Sequence, residues 1–237
     1  MTTALVAFVV AFVVGTLVTG LMRIVAPRLG AVDQPDEFRK IHTLPIPYLG
    51  GIGVFVGFLT PIAVLMTVLR HLLLGQALWD VSQPFFMILL GGFVALILGA
   101  WDDTRGMRPI LKLILQTLAA AVAMAGNTVI WRLSLPFMGE VELGIWSIPL
   151  TLFWFLGCMN AINLLDGMDG LAGGVSLIVC VTMVLVGYFM HNFVGMLLMA
   201  CLGGGILGFL VHNFNPARIF LGDSGSNVIG YMIAALA

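Results

Sequence analysis

Residues 160–170 read Asn-Ala-Ile-Asn-Leu-Leu-Asp-Gly-Met-Asp-Gly and lie between two long apolar runs. An ionisable side chain in or beside a membrane-spanning helix costs roughly 2.5–3.5 kcal/mol on insertion scales, so we interpret these polar residues as functional. Steps of three residues turn an ideal helix by about 300°, so one regular helix cannot aim all four polar side chains at one point. The two glycines permit the helix to end and the chain to bend. We therefore expect a helix end at the membrane–water boundary, with three side chains around a polar ligand: Asn163, Asp166 and Asp169.

The composition predicts a helical membrane protein. Hydrophobic residues make up 61% of the 237 residues and charged residues only 9%, with a mean hydropathy of +1.13, which is more apolar than a soluble domain of this size. Long apolar runs favour helices over the short alternating strands of a β-barrel. The net charge of −1 implies no surface for nucleic acid. We predict an all-α, polytopic transmembrane bundle that forms a single membrane domain over residues 1–237.

Seven apolar runs come near the ~20 residues that a bilayer requires. They cover residues 4–22, 52–69, 85–100, 110–125, 146–165, 171–189 and 193–211. A further run begins at Gly225 and reaches residue 237, which is too short to cross. We predict seven full spans, the start of an eighth, and a chain truncated at its C-terminus. Glycine pairs at four-residue spacing, 53/57 and 204/208, suit close contact between helices.

The distribution of charge predicts the orientation. With the N-terminus outside, eight of the ten Lys and Arg residues fall in inside loops, as the positive-inside rule requires. Eight of the eleven acidic residues fall on the same side, which suggests a polar site on the inner face. An ion-coupled transporter is a rival interpretation, but it predicts acids near the middle of the bilayer and has no internal repeat to support it here.

Three further polar segments are predicted on that inner face. Residues 39–51, Arg-Lys-Ile-His-Thr-Leu-Pro-Ile-Pro-Tyr-Leu-Gly-Gly, bring cations to glycines that open a helix, which is typical of an anion site. A basic loop that only sets topology is the alternative. Residues 101–109, Trp-Asp-Asp-Thr-Arg-Gly-Met-Arg-Pro, contain adjacent carboxylates that need a cation to remain ionised, and such hard oxygen ligands suit Mg²⁺. The alternative is a solvated helix end that pairs with Arg105 and Arg108.

Residues 218–226, Arg-Ile-Phe-Leu-Gly-Asp-Ser-Gly-Ser, place an acid between glycines just before a helix. This arrangement would set a carboxylate beside free backbone N–H groups, as a metal-bridged phosphate requires, although an Asp–Ser capping turn has the same signature. Phe220 could stack on a flat ring or belong to an aromatic belt. Together the four segments describe a metal-assisted phosphoryl-transfer site with a water-soluble donor and an acceptor in lipid.

The four segments resemble the polyprenyl-phosphate N-acetylhexosamine-1-phosphate transferase family. The matching motifs are Arg-Lys-x-His…Pro-x-Pro…Gly-Gly, the Asp-Asp pair, Asn-x-x-Asn-x-x-Asp-Gly-x-Asp-Gly and Phe-x-Gly-Asp-x-Gly-Ser, in family order. The resemblance implies a membrane enzyme that transfers a sugar-1-phosphate from a UDP-sugar to polyprenyl phosphate, releases UMP and depends on Mg²⁺ or Mn²⁺. The Pro-Ile-Pro form favours the branch that uses UDP-N-acetylglucosamine for surface polysaccharides. The branch that uses UDP-N-acetylmuramoyl-pentapeptide for peptidoglycan is the alternative.

The resemblance also implies roles for individual residues. The expected catalytic carboxylates are Asp102, Asp103, Asp166 and Asp169. The expected metal ligands are Asn163, Asp223 and again Asp103. The expected substrate-binding residues, with Lys40 facing phosphate and Phe220 lying against uracil, are Lys40, His42, Asn160, Phe220, Gly222 and Ser226. We expect direct attack by the lipid phosphate, which is already a nucleophile, in preference to a covalent aspartyl intermediate.

The resemblance places the protein in a bacterial inner membrane, crossing it several times, with its site on the cytoplasmic face. The implied partners are a UDP-sugar, a polyprenyl phosphate and the lipid bilayer, with a homodimer left open. Family members continue through further spans to an inner loop whose histidine and arginine help to hold the donor diphosphate. That segment is not in this sequence, so we expect these residues alone to be an incomplete catalyst.

Overall fold

The computed structural model describes residues 1–34, 45–72, 77–135 and 139–237. These residues form eight α-helices and two short antiparallel strand pairs. The helices are α1 Thr2–Val25, α2 Gly50–Leu72, α3 Ala77–Arg105, α4 Pro109–Ala125, α5 Ser147–Leu165, α6 Leu171–Phe189, α7 Phe193–Asn213 and α8 Gly222–Leu236. The strand pairs are β1 Val32–Asp33 with β2 Ile46–Pro47, and β3 Arg132–Leu135 with β4 Gly139–Glu142.

The helices are those of a multi-pass membrane protein. Six segments of the described chain are long and apolar enough to cross a bilayer: Thr2–Leu29, Gly50–Thr67, Pro84–Arg105, Gly144–Leu165, Leu171–Phe189 and Phe193–Asn213. The predicted span at 110–125 forms α4, which has only 17 residues and is not among those six. The eighth helix begins at Gly222 rather than at Gly225. The N–H groups of residues 222–224 have acceptors outside the helix, which stabilise this earlier first turn.

Helix α7 is the buried centre of one half of the bundle, where it packs against α1, α2 and α6. Its glycines let neighbouring backbones approach closely. A Cβ atom added at Gly208 would lie 2.6 Å from the Phe12 carbonyl oxygen, and one added at Gly204 would overlap the Phe8 carbonyl oxygen, both in α1. The close contact predicted from the glycine spacing at 204/208 is therefore confirmed.

Helix α8 fills the space between α3 and α5 and is buried over most of its length. The Tyr231 hydroxyl donates to the Ile88 carbonyl of α3 at 3.0 Å, and the Tyr231 ring lies 5.2 Å from the ring of Phe155 in α5. Trp154 of α5 donates from Nε1 to the Ala234 carbonyl at 3.2 Å. This packing places the N-terminus of α8 beside the C-terminal ends of α3 and α5, where two of the polar segments lie.

The predicted helix end within residues 160–170 is confirmed. Helix α5 ends at Leu165, and Gly170 has a φ of +73° immediately before α6, a conformation that glycine adopts without a steric penalty. The Gly170 N–H donates to Oδ1 of Asn213 at 2.9 Å, and Nδ2 of Asn213 donates to the Ile219 carbonyl at 2.9 Å. The α5–α6 turn is thereby bonded to the loop that leads into α8.

Candidate active site

Two carboxylates from other helices bind the N-terminus of α8. Asp103, near the end of α3, accepts the N–H of Asp223 at 2.7 Å and the N–H of Ser224 at 3.1 Å. Asp166, at the end of α5, accepts the N–H of Gly222 at 3.1 Å. Negative charge is favourable at this end of a helix dipole. The expectation of free N–H groups before the eighth helix is therefore wrong, because all three donate to carboxylates.

Gly222 is required at the point where these carboxylates meet the helix. Its φ is +71°, a left-handed conformation that other residues adopt only with strain. A Cβ atom at this position would lie 2.6 Å from Oδ2 of Asp103. Any side chain here would push the Asp103 carboxylate away from the helix terminus.

Lys112, in the first turn of α4, joins two of the acids. Its Nζ lies 2.6 Å from Oδ1 of Asp223 and 3.2 Å from Oδ2 of Asp102, and all three side chains are largely buried. Of the adjacent aspartates, Asp102 therefore has Lys112 as its cation, whereas Asp103 is bonded to the N–H groups of α8. Arg105, which the alternative interpretation paired with these acids, has its guanidinium 5.3 Å from the centre of the Trp101 ring. The sequence analysis missed Lys112, and the only signal for it was the need of the Asp pair for a cation.

Asn163 completes the surroundings of Asp223. Its Nδ2 donates to Oδ1 of Asp223 and, at 3.0 Å, to Oγ of Ser226. Asn163 therefore acts here as a hydrogen-bond donor to the acid that was predicted to bind metal beside it. Ser226 acts as its acceptor, one turn into α8.

The environment of Asp166 changes its ionisation. Burial raises the pKa of the Asp166 carboxyl to about 8, the N–H of Gly222 opposes this shift, and the nearby charges of Asp103 and Asp223 add to it. The carboxyl consequently exchanges its proton near neutral pH, well above the range of an ordinary aspartate. Such a shift in a polar cluster is typical of functional sites.

The cluster offers few protein ligands for a metal ion. Within residues 1–34, 45–72, 77–135 and 139–237, no group of three or more His, Cys, Asp or Glu side chains is placed to hold one. Asp102 and Asp223, however, both direct an oxygen at the same point, where the Lys112 ammonium lies. Mg²⁺ is usually held by one or two carboxylates together with waters and substrate phosphates. The two carboxylates therefore fit a divalent ion that would displace the Lys112 ammonium from between them, with its remaining ligands from substrate and water.

Asp169 has different hydrogen-bond partners from the other predicted acids. Its Oδ2 accepts the N–H of Ala217 at 2.9 Å and Nδ2 of Asn215 at 3.3 Å, both in the α7–α8 loop. The expected gathering of polar side chains thus holds for Asn163 and Asp166 at the start of α8. The hydrogen bonds of Asp169 instead hold the loop that precedes this helix.

Asn160 is directed into the bundle. Its Nδ2 donates to Oε1 of Gln116 at 3.0 Å and to the Leu156 carbonyl at 2.8 Å. Gln116, which is 2% exposed, donates in turn from Nε2 to Oδ1 of Asn227 at 2.7 Å. Sequence reasoning missed Gln116 and Asn227, since a single amide within an apolar helix carries no pattern.

Phe220 lies where the start of α2 meets the α7–α8 loop. Its N–H donates to the Pro47 carbonyl at 2.8 Å, its carbonyl accepts the Gly50 N–H at 3.1 Å, and its ring lies 6.0 Å from the ring of Tyr48. The Gly51 N–H likewise donates to the Leu221 carbonyl at 3.2 Å. The glycines that open α2 thus have backbone partners, contrary to the anion site expected there. The predicted substrate-binding residues Lys40 and His42 lie outside the described residues.

The chain is similar in sequence to known proteins over most of its length. A family model described as glycosyl transferase family 4 matches residues 85–237. The chain is 33% identical over 233 residues to the "Probable undecaprenyl-phosphate N-acetylglucosaminyl 1-phosphate transferase" of Bacillus subtilis (strain 168), covering 98% of this chain and 62% of the relative.

Two further relatives extend the comparison. The "Decaprenyl-phosphate N-acetylglucosaminephosphotransferase" of Mycobacterium tuberculosis (strain ATCC 25618 / H37Rv) is 35% identical over 228 residues, covering 92% of this chain and 55% of the relative. The "Phospho-N-acetylmuramoyl-pentapeptide-transferase" of Clostridium botulinum (strain Eklund 17B / Type B) is 37% identical over 164 residues, covering 64% of this chain and 50% of the relative. The chain thus spans between half and two thirds of the length of these relatives. With the family model matched over more than half of its residues, the chain belongs to glycosyl transferase family 4.

Proposed function

We propose that this chain is part of a membrane phosphotransferase that transfers N-acetylglucosamine-1-phosphate from UDP-N-acetylglucosamine to undecaprenyl or another polyprenyl phosphate and releases UMP. The observation that carries the proposal is the carboxylate cluster, defined as Asp102, Asp103, Asp166 and Asp223, which three helices bring together beside Lys112. The names of the relatives with the broadest coverage of this chain favour N-acetylglucosamine over the muramoyl-pentapeptide donor. The reaction would be the first membrane step of surface polysaccharide synthesis.

In the proposed reaction an oxygen of the lipid phosphate attacks the phosphorus that carries the sugar. The bond from that phosphorus to the bridging oxygen breaks, and UMP leaves with the bond's electron pair. Two anions have to approach each other, so the site has to supply positive charge. Lys112 supplies it directly. An aspartate of the 102–103 pair can accept the last proton of the lipid phosphate, which would leave the acceptor fully ionised for direct attack.

Mg²⁺ or Mn²⁺ fits the site as a cofactor. Asp102 and Asp223 would hold the ion, which when bound would neutralise diphosphate charge and stabilise the departing UMP. In this scheme the hydrogen bonds of Asp103 and Asp166 also fix the helix terminus that carries Asp223. Phe220 and Tyr48 offer neighbouring aromatic rings to the uracil base.

We also propose the finer topology: seven spans, the N-terminus outside, and the carboxylate cluster on the cytoplasmic face of a bacterial inner membrane. This topology is supported by the excess of Lys and Arg residues in the loops that it places inside. Single cysteines at two exposed positions, Met168→Cys beside the α5–α6 turn and Ile145→Cys before α5, test it in a background without native cysteines. An impermeant maleimide should label Ile145→Cys from outside and Met168→Cys only from inside. Labelling of both from one face would contradict this topology.

The activity itself is tested with membranes that contain the full-length protein. They are incubated with labelled UDP-N-acetylglucosamine, undecaprenyl phosphate and Mg²⁺, and labelled lipid and UMP are measured. We expect both products from the wild type and neither from Asp223→Asn or after chelation of the metal. Glu142→Gln, which changes an exposed acid on β4, is the control and should retain activity. Transfer from UDP-N-acetylmuramoyl-pentapeptide alone would identify the alternative donor.

A further inference from the structure

Three amide side chains, two of them buried and that of Asn160 partly buried, form a continuous chain of hydrogen bonds between α4, α5 and α8. Asn160 donates to Gln116 at 3.0 Å, Gln116 donates to Asn227 at 2.7 Å, and Asn227 donates to the backbone carbonyl of Asp223 at 2.7 Å. Gln116 and Asn227 are only 2% and 3% exposed. We call these residues, Gln116, Asn160 and Asn227, the amide layer.

The hydrogen bonds of the amide layer can run in one donor-to-acceptor direction only. Asn227 has to present its NH₂ group to the Asp223 carbonyl, so only its oxygen is left for Gln116. Gln116 therefore has to present its NH₂ group to Asn227 and its oxygen to Asn160. Reversal of any one amide would set donor against donor or acceptor against acceptor, and a buried polar group without its partner is costly. The pattern therefore fixes the orientation of each amide, and two of its bonds join α4 to α5 and α4 to α8.

A second layer, built around the Lys112–Asp223 ion pair, also joins the three helices. Lys112 and Asn163 both contact Asp223, and we call these three residues the charged layer. Each helix contributes one member to each layer. The two members are four residues apart on α4 and on α8 and three apart on α5, which are the spacings of side chains on one helix face. The amide layer therefore lies one helical turn from the charged layer along all three helices.

We propose that Gln116, Asn160 and Asn227 are positioning residues, which fix the register of α4, α5 and α8 so that Asp223 meets Lys112 and the ligand. This inference rests on the proposed function and deepens it. A helix that slips or rotates by a fraction of a turn moves Asp223 relative to Lys112. The amide layer opposes such a slip because it leaves no alternative pairing. None of its members needs to touch substrate.

The test separates positioning from stability with a double-mutant cycle. Gln116→Leu or Asn227→Leu alone leaves one buried amide without its partner, so each should lower the unfolding temperature. Gln116→Leu/Asn227→Leu removes both facing groups and should recover part of that loss, since apolar replacement of both partners is nearly neutral. If the layer positions Asp223, the double variant should still need about tenfold more Mg²⁺ for half-maximal activity. The rise in unfolding temperature that Mg²⁺ produces should be reduced in the same variant.

Thr151→Val is the matched control. Thr151 is a buried polar residue of α5 whose hydroxyl accepts the Ile130 N–H and donates to the Ser147 carbonyl, away from the charged layer. It should lower stability and leave the Mg²⁺ requirement unchanged. If the Mg²⁺ requirement of the double variant returns to the wild-type value together with stability, the amide layer is only structural and the inference is wrong. A wild-type protein without transferase activity would overturn the proposed function, and the inference with it.

Discussion

The carboxylate of Asp103 accepts the backbone N–H of Asp223 at 2.7 Å, although 120 residues separate the two along the chain. An acid at the end of one helix thus caps the first turn of another, and the capped turn carries a second acid. The position of Asp223 therefore depends directly on α3. Through this bond Asp103 helps to set the position of the Asp223 carboxylate in the proposed reaction.

Asp103→Asn tests this capping bond. Asn offers one oxygen and one NH₂ group where the aspartate offers two oxygens, so one of the two N–H groups at residues 223 and 224 loses its acceptor. A hydrogen bond to a charged group is worth about 1.5–3 kcal/mol, and we expect a loss of this order in the free energy of unfolding. UMP release should fall at least tenfold. Thermal unfolding and the transferase assay measure the two effects.

Asn192→Ala provides the comparison for that variant. The Asn192 side chain caps α7 by accepting the Gly195 N–H at 2.9 Å, and it is exposed. Its loss should cost about 1 kcal/mol of stability, as for other N-caps, and should leave activity unchanged. Equal losses of activity in both variants would show that activity merely follows stability.

Lys112→Met tests the link between Asp102 and Asp223. Without the ammonium the two carboxylates face each other in a largely buried site, so metal-free protein should unfold at a lower temperature. Added Mg²⁺ should raise the unfolding temperature more in this variant than in the wild type, because the ion relieves the repulsion. Activity should fall at least a hundredfold if Lys112 also neutralises substrate phosphate.

Arg132→Met is the control for loss of a basic residue. Arg132 lies 3.2 Å from Glu142 and 3.8 Å from Glu140 on an exposed strand pair, and such surface pairs are worth about 0–1 kcal/mol. It should change neither stability nor the response to Mg²⁺ measurably. If Lys112→Met behaves in the same way, Lys112 is not the cation of the cluster.

Asp166 predicts a pH dependence of stability in the absence of metal. Its pKa is about 8 in the folded protein and about 3.9 in the unfolded chain, so the folded state binds the proton more tightly. Between those values the folded state holds more protons, and the free energy of unfolding falls as pH rises from about 4 to about 8. The unfolding temperature in chelator should be lower at about pH 8.5 than at about pH 5. Asp166→Asn should reduce this dependence, and an unchanged slope would contradict the assignment.

Asn160 and Phe220 should differ in steady-state kinetics. Both were predicted from the sequence to bind substrate, but Asn160 bonds to Gln116 and to its own helix. Asn160→Leu should therefore lower kcat and leave the KM for UDP-N-acetylglucosamine unchanged. Phe220→Leu should raise that KM roughly three- to tenfold through loss of ring stacking on uracil. An increase in KM for Asn160→Leu would restore it as a substrate-binding residue.

The polar positions of the site could be predicted because the membrane makes every polar residue informative. Asp103 and Asp166 follow apolar runs and Asp223 precedes one, and the structure brings them together around one helix terminus. The partners of these residues were not predictable in the same way. Lys112 and Gln116 bond to residues 111 positions away, which no local pattern records.

The sequence wrongly predicted free N–H groups at the start of α8 and an anion site at the start of α2, for a related reason. A glycine before a helix indicates that N–H groups lack partners within that helix, and the sequence does not say what supplies the acceptors. At α8 they are carboxylates from α3 and α5, and at α2 they are backbone carbonyls at residues 220 and 221. Tertiary contacts therefore occupy positions that local reasoning assigned to a ligand.

The backbone bonds between the start of α2 and residues 220–221 have a mechanical consequence. Gly50 and Gly51 donate to the carbonyls of residues 220 and 221, and Pro47 accepts from Phe220, so separating the entry to α2 from the approach to Asp223 would break three backbone hydrogen bonds. A bulkier sugar-nucleotide donor would have to break these bonds to separate the two segments. Exchange of residues 45–51 for those of a relative with a different donor should therefore transfer little selectivity unless residues 218–222 are exchanged as well.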